Sequence, residues 1–316
     1  MTSLPIIDIA PLFSDNKEGL QKVAKELDNA CRTWGFFYIV GHGIPKERME
    51  ALTQMARTFF AQSMEDKLKI DITQSKHHRG YGAFTAEQVD PDMPYDYKEV
   101  FDMQCDLRED HPLVQQGHSL RGPNVHPDIP GWRDLMETHY KDMQKVALQL
   151  LRGLAIAIGI DENYFTGRFT EPLSGFRLIH YPALPEEKGR VVCGAHTDYG
   201  IVTILYQDNA TGLQVRNLQG EWMDAPPVKD SYVVNIGDMM AMWSNDRYKS
   251  TSHRVLNPGV DRISMPFFCE PDPNVLISAL ENCYSKDTNP KKYPDVMTDV
   301  WLQKRFNQTY TYRSER

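Results

Sequence analysis

The chain has 316 residues, 41% of them hydrophobic and 25% charged, which is enough to bury a large core and too apolar for a disordered chain. Its formal charge of -8, from 35 basic and 43 acidic residues, excludes bulk electrostatic binding to nucleic acid or to an anionic membrane surface. No run approaches the roughly 18 apolar residues of a membrane span, the opening MTSLPIIDIAPLF lacks the blocks of a signal peptide, and the five cysteines (Cys31, Cys105, Cys193, Cys269, Cys283) include no CxxC pair, so the expectation is a cytoplasmic protein with neither disulfides nor a thiolate zinc site.

After a short extended run from Pro5 to Ile9, Leu20, Val23, Ala24, Leu27, Ala30, Cys31 and Trp34 follow helical spacing, and Gly35 stands where a C-terminal cap is expected. A strand, Phe36 to Val40, comes next and ends in Gly41-His42-Gly43-Ile44-Pro45. A second helix then carries Met49, Leu52, Met55, Phe59 and Phe60 on one side. From about Ser75 to Asp128 the chain is rich in Gly, Pro and charge, and it reads as loops with short strands. The longest helical pattern runs from Trp132 to Ile158 and is closed by Gly159, a helix suited to bracing whatever follows.

Beyond Ser174 the texture changes to short β-type runs: Phe176 to Tyr181, Val191 to His196, Ile201 to Tyr206, Leu213 to Arg216, Tyr232 to Ile236, Met239 to Trp243, His253 to Leu256 and Arg262 to Phe268. Short strands at such spacing, with Gly, Asn, Asp and Pro between them, imply a sandwich or barrel. Val296 to Phe306 reads as a final helix.

His196-Thr197-Asp198 lies at a strand end, where the two-residue side-chain period sends both potential ligands to one face. Alone the triplet is weak, since chance supplies about one in a chain of this composition. His126-Pro127-Asp128 is a second case, in a Pro-rich loop without strand context. What separates the two is company. His253 opens a later strand and completes two imidazoles plus one carboxylate, the set that leaves three adjacent positions open on non-haem Fe(II). Nine residues on, Arg262 and Ser264 share a strand face, and a guanidinium fork with a hydroxyl suits a carboxylate.

In order along the chain stand LPIIDIAPL, WGFFYIVGHGIP, DYKEVFDM, FRLIHYP, GAHTDYGIVTILYQD, GLQV, VVNIGDMM, YKSTSHRVLNP and DRISMPFF. With these motifs the chain resembles, over nearly its whole length, the 2-oxoglutarate/Fe(II)-dependent oxygenases of the isopenicillin N synthase-like family. The resemblance implies a mainly β double-stranded β-helix (jelly-roll) with flanking helices. Residues 1–125 would form its α-rich N-terminal region and 126–316 the jelly-roll with its bracing helix. It implies Fe(II) on His196, Asp198 and His253, 2-oxoglutarate on Arg262, Ser264 and Tyr181, O2 as second cosubstrate, and ascorbate as a supporting reductant. The reaction would oxidise a small molecule by hydroxylation, desaturation or cyclisation, releasing succinate and CO2. Ile179 stands where many plant members have asparagine. FRLIHYP and FFCEPDPN look nearer the bacterial branch, which keeps ethylene formation among the outcomes.

Period-two geometry puts Tyr181 on one face with Ile179 and Arg177. Candidate substrate contacts are Arg177 and Phe268, with Arg79 and Glu99 from the N-terminal segment. Arg177 has an equal alternative as an internal ion pair, Phe268 as core and Glu99 as a structural acid. The glycines Gly194, Gly200, Gly212 and Gly237 are read as turn and packing positions, and His42 as a loop hydrogen-bonder. Two other classes stay open: a zinc hydrolase using the same triad, and a jelly-roll that binds a ligand without turnover.

Overall fold

In the computed structural model, which describes residues 3–14 and 16–314, strands take most of the segments whose apolar residues alternate. They are β1 Ile6–Asp8, β2 Phe36–Val40, β3 Gly80–Gly82, β4 Glu99–Gln104, β5 Gly175–Tyr181, β6 Val191–His196, β7 Val202–Gln207, β8 Leu213–Arg216, β9 Trp222–Asp224, β10 Tyr232–Ile236, β11 His253–Leu256, β12 Arg262–Cys269, β13 Leu276–Ile277 and β14 Val296–Met297. The helices are α1 Lys17–Thr33, α2 Lys46–Phe60, α3 Met64–Leu68, α4 Pro112–Gln115, α5 Trp132–Ile158, α6 Asp238–Trp243, α7 Thr298–Thr309 and α8 Thr311–Ser314.

From β5 onward the chain winds between two sheets. One has eight strands in the order β1-β2-β10-β7-β12-β5-β4-β3, and the other four, β6-β11-β8-β9. The antiparallel neighbours β10, β7, β12 and β5 face the smaller sheet across a cavity, which is the expected jelly-roll. The N-terminal strands extend the larger sheet at both edges: β1 and β2 join beside β10, and β4 and β3 beside β5.

Alternation along each strand decides what the two faces of the large sheet do. Phe176 and Leu178 of β5, Val202 and Ile204 of β7, Val234 and Ile236 of β10, and Ile263, Met265 and Phe267 of β12 point outward. There they pack with the buried stripes of α1, α2 and α5 into the main core. The intervening residues point inward, so that face is free to carry polar groups. Gly35 after α1 has φ +66°, and a Cβ there would meet the Lys249 carbonyl oxygen at 2.1 Å. The cap is therefore required by both conformation and space.

Two elements differ from their sequence pattern. Met239 to Trp243, expected as a strand, is the helix α6, with every residue buried. A short unbroken apolar run fits a buried helix turn as well as a strand, and methionine and alanine favour the helix where β-branched residues would not. Val296 and Met297, expected inside the last helix, pair instead with β13, and α7 starts at Thr298. Within the segment read as loops, β4 is a six-residue strand buried along its whole length.

Candidate active site

β6 ends at His196, and β11 begins with His253 directly opposite it in the antiparallel register. Asp198 follows two residues after β6, on the loop leading to β7. One ligand atom from each of the three lies within 4.8 Å of the others. Asp198 Oδ1 is 3.8 Å from His196 Nε2 and 3.6 Å from His253 Nε2.

Each donor is held in the state a cation needs. His196 Nδ1 donates to the Gly194 carbonyl at 2.8 Å and His253 Nδ1 to the Thr251 carbonyl at 3.2 Å, so both Nε2 lone pairs face the common centre. Asn235 Nδ2 donates to Asp198 Oδ2 at 2.7 Å and leaves Oδ1 for a metal. Burial, with His196 alongside, pushes His253 down to about 4 and keeps its imidazole neutral. Burial acts against ionisation of Asp198, but the two histidines together with Thr203 and Asn235 outweigh it and hold its carboxyl below the ordinary range. The triad therefore fits a divalent metal with open coordination positions. His126 of the rival triplet faces Glu137 at 3.8 Å, and among the described residues only His196, Asp198 and His253 form a three-ligand group.

Asp198 is anchored through the backbone as well. Asp238 N donates to the Asp198 carbonyl at 2.8 Å and Gly237 N to the Ile201 carbonyl at 2.9 Å. A Cβ on Gly237 would come within 2.3 Å of the Gly200 carbonyl oxygen, so the α6 turn lies against the Asp198 loop as only glycine permits.

The cavity beside the triad measures about 130 Å³, against the roughly 10–15 Å³ that one water needs, so it admits a small organic ligand. Arg262 and Ser264 enter it from β12, Tyr181 from β5 and Phe268 from the far end of β12. Arg262 is wholly buried. Its Nη1 donates to Ser264 Oγ at 3.2 Å, its Nη2 to Gln207 Oε1 at 3.1 Å, and its guanidinium lies 5.0 Å from the Tyr181 ring centre. Among the described residues no carboxylate pairs with it, and its Nε has no partner. An uncompensated buried guanidinium is costly unless an anion completes it.

Arg177 reaches the same cavity but is committed. Its Nε and Nη2 bind Asp102 at 2.7 and 2.9 Å, Nη1 lies 2.9 Å from Glu87, and Nη2 also donates to the Tyr310 hydroxyl. The internal ion pair is thus the arrangement found. Glu99 points with Phe101 to the outer face, where it accepts from Lys67, Tyr81 and His180, each at 2.7 Å. Arg79 lies outside the cavity lining and donates to the carbonyls of His77, His78 and Leu120. Both were expected as substrate contacts. Strand alternation sends the first away, and backbone carbonyls absorb the second. Cys193 lines the cavity, but burial pushes its thiol up to about 12, which leaves no reactive thiolate at neutral pH.

Glu87, Lys98, Asp102, Tyr199, Glu270, Phe306, Thr309 and Tyr310 also line the cavity and were not expected there. Glu270 continues the inward face of β12 one position past its end, which alternation could have revealed, whereas Asp102 lies on β4, a strand that no alternation marks. The arrival of α7 over the opening left no trace in the sequence pattern.

Residues 4–129 match the family described as "non-haem dioxygenase in morphine synthesis N-terminal", and 172–271 the 2OG-Fe(II) oxygenase superfamily. The 2-oxoglutarate-Fe(II) type oxidoreductase hxnY of Emericella nidulans is 33% identical over 318 residues, 98% of this chain and 91% of the relative. The chain belongs to the isopenicillin N synthase-like 2-oxoglutarate/Fe(II) oxygenases. Homoarginine-6-hydroxylase 2-ODD-C23 of Glycine max is 37% identical over 92% of each chain. A full-length Neurospora crassa protein, solved in complex with alpha-KG and thymine, superposes with a TM-score of 0.84 at 30% identity, covering 96% of this chain and 97% of that one. This oxygenase is therefore an oxidoreductase that uses Fe(II), 2-oxoglutarate and O2 on a small molecule, and the zinc hydrolase and the non-catalytic jelly-roll give way to it. Among its described residues no helix is long and apolar enough to cross a membrane.

Proposed function

We propose that His196, Asp198 and His253 hold the iron, that Arg262 and Ser264 hold the distal carboxylate of 2-oxoglutarate with Tyr181 donating to it, and that the outcome is hydroxylation of a small nitrogenous molecule. The observation that carries the cosubstrate assignment is Arg262, a buried guanidinium without an anion in the cavity that also holds the triad. Homoarginine in one relative's name and thymine in the neighbouring structure support the substrate class.

When bound, iron and 2-oxoglutarate supply the oxidation: one atom of O2 enters succinate as CO2 leaves, and the other enters a substrate C–H bond. The chain's own residues position and exclude. Asn235 fixes the Asp198 rotamer, Gln207 and the Tyr181 ring fix the Arg262 fork, and Phe36, Leu205, Val255, Pro266 and Phe268 keep the cavity walls apolar. Phe268 stands as a wall for the prime substrate. The five free cysteines suit a reducing compartment such as the cytoplasm.

Anaerobic titration with Fe(II) and 2-oxoglutarate tests the reading. A weak visible charge-transfer band is expected, followed by succinate when O2 is admitted. Failure of the band to form in the wild-type protein would sink it.

A further inference from the structure

Inward-facing residues of β12 continue the two-residue period Arg262, Ser264, Pro266, Phe268 into Glu270, one position beyond the strand, and all five line the cavity. Glu270 is 4% exposed. Its backbone is clamped at both polar groups, since its N–H donates to Ser174 Oγ at 3.1 Å and its carbonyl accepts from the same hydroxyl at 3.0 Å. Among the described residues its carboxyl group has no hydrogen bond and no ion pair.

The strand register says which ligand could meet it. Phe268 pairs with Thr203, and Thr203 with Asn235. Both Thr203 and Asn235 hydrogen-bond Asp198 through their side chains, which places this end of β12 beside the triad. Along β12, Glu270 lies eight residues, ~26 Å of backbone, from Arg262 and only two from Phe268. A five-carbon cosubstrate drawn between the triad and Arg262 does not extend to Glu270. What Glu270 faces is the prime substrate.

Nearby cations are already spent. Arg177 is bound by Asp102, Glu87 and Tyr310, and Lys98 by Asp96 at 2.8 Å and Glu87 at 3.0 Å. Two cations thus meet three carboxylates before Glu270 is counted, so none is left over for it, and burial with Asp198 nearby holds its carboxyl well above the ordinary range, a penalty that an arriving cation would offset. Resting on the iron and cosubstrate reading above, we propose that Glu270 receives a cationic nitrogen of the prime substrate, an amine, amidine or guanidine, and thereby sets which C–H bond lies over the metal. A guanidinium would use both carboxylate oxygens, with the adjacent Phe268 ring offering an aromatic surface to the same cation.

Calorimetry on the anaerobic protein, with and without Fe(II) and 2-oxoglutarate, tests this with L-homoarginine and butylguanidine as cations against their neutral isosteres L-homocitrulline and butylurea. Wild type is expected to bind the cations at least tenfold more tightly than the ureas. Glu270→Gln is expected to reduce that preference to threefold or less while keeping the Fe(II)–2-oxoglutarate band, which a collapsed cavity would lose. Equal binding of both classes by wild type, no binding of any cation, or undiminished cation preference in Glu270→Gln or Glu270→Ala would overturn the proposal. A missing band in wild type is a separate result that condemns the cosubstrate assignment, and the probe affinities remain readable because they need no turnover.

Discussion

Asn235 Nδ2 donates to Asp198 Oδ2 at 2.7 Å, deep between the two sheets, where Asn235 is 3% exposed. The bond holds the carboxylate so that one oxygen turns to the two histidines. Partners of metal ligands typically contribute ~10–100-fold in affinity. Asn235→Ala should weaken Fe(II) binding by about that factor with a smaller change in fold stability, and metal titration beside thermal melting checks it.

Arg262 should separate cosubstrate from prime substrate. In Arg262→Leu the anion loses its cationic partner, and KM for 2-oxoglutarate should rise about 100-fold, equivalent to ~3 kcal/mol. Arg262→Lys keeps the charge but not the fork and should fall between the two. Steady-state succinate release at varied 2-oxoglutarate measures both, and an unchanged KM in the leucine variant would refute the role.

Gly237→Ala forces a Cβ to within 2.3 Å of the Gly200 carbonyl oxygen and 3.1 Å of the Asp198 carbonyl oxygen. Overpacking against backbone costs ~1–3 kcal/mol. The variant should unfold at lower urea concentration and hold Fe(II) less tightly, because the loop that must shift carries a proposed ligand.

His139 predicts an acid-sensitive stability away from the site. It lies on α5 against Phe176, its ring centre 4.9 Å from that ring, and burial pushes its pKa down to about 3. The unfolded chain has the ordinary value of ~6.5, so between about 6.5 and 3 the unfolded state binds the extra proton. This contribution to stability is fully present above pH ~6.5, falls as pH drops through that window, and amounts to a loss of ~2 kcal/mol by pH 5. Urea unfolding at pH 7 and pH 5 should show that loss in wild type and a smaller one in His139→Gln.

Much of the fold could be read from local pattern. Phe36 to Val40 and Trp132 to Ile158 have the expected limits because alternation and 3.6-residue spacing are properties of the chain itself. The β4 strand escaped notice because a strand buried on both faces needs no alternation, and here its inward positions Asp102 and Gln104 are polar. The Met239 to Trp243 run escaped for the related reason that an all-buried segment shows no face at all.

The sequence by itself determined that one chain carries His196, Asp198 and His253 in strand context with Arg262 and Ser264 behind them, since ligand type and two-residue period are local. Only the tertiary structure decided which charges remain available. Pairing Arg177 with Asp102 and Glu87, turning Glu99 outward and leaving Arg262 and Glu270 without a counter-charge among the described residues each depend on residues tens of positions apart meeting inside a buried cavity, where a charged group's role is set by whether its opposite is within reach.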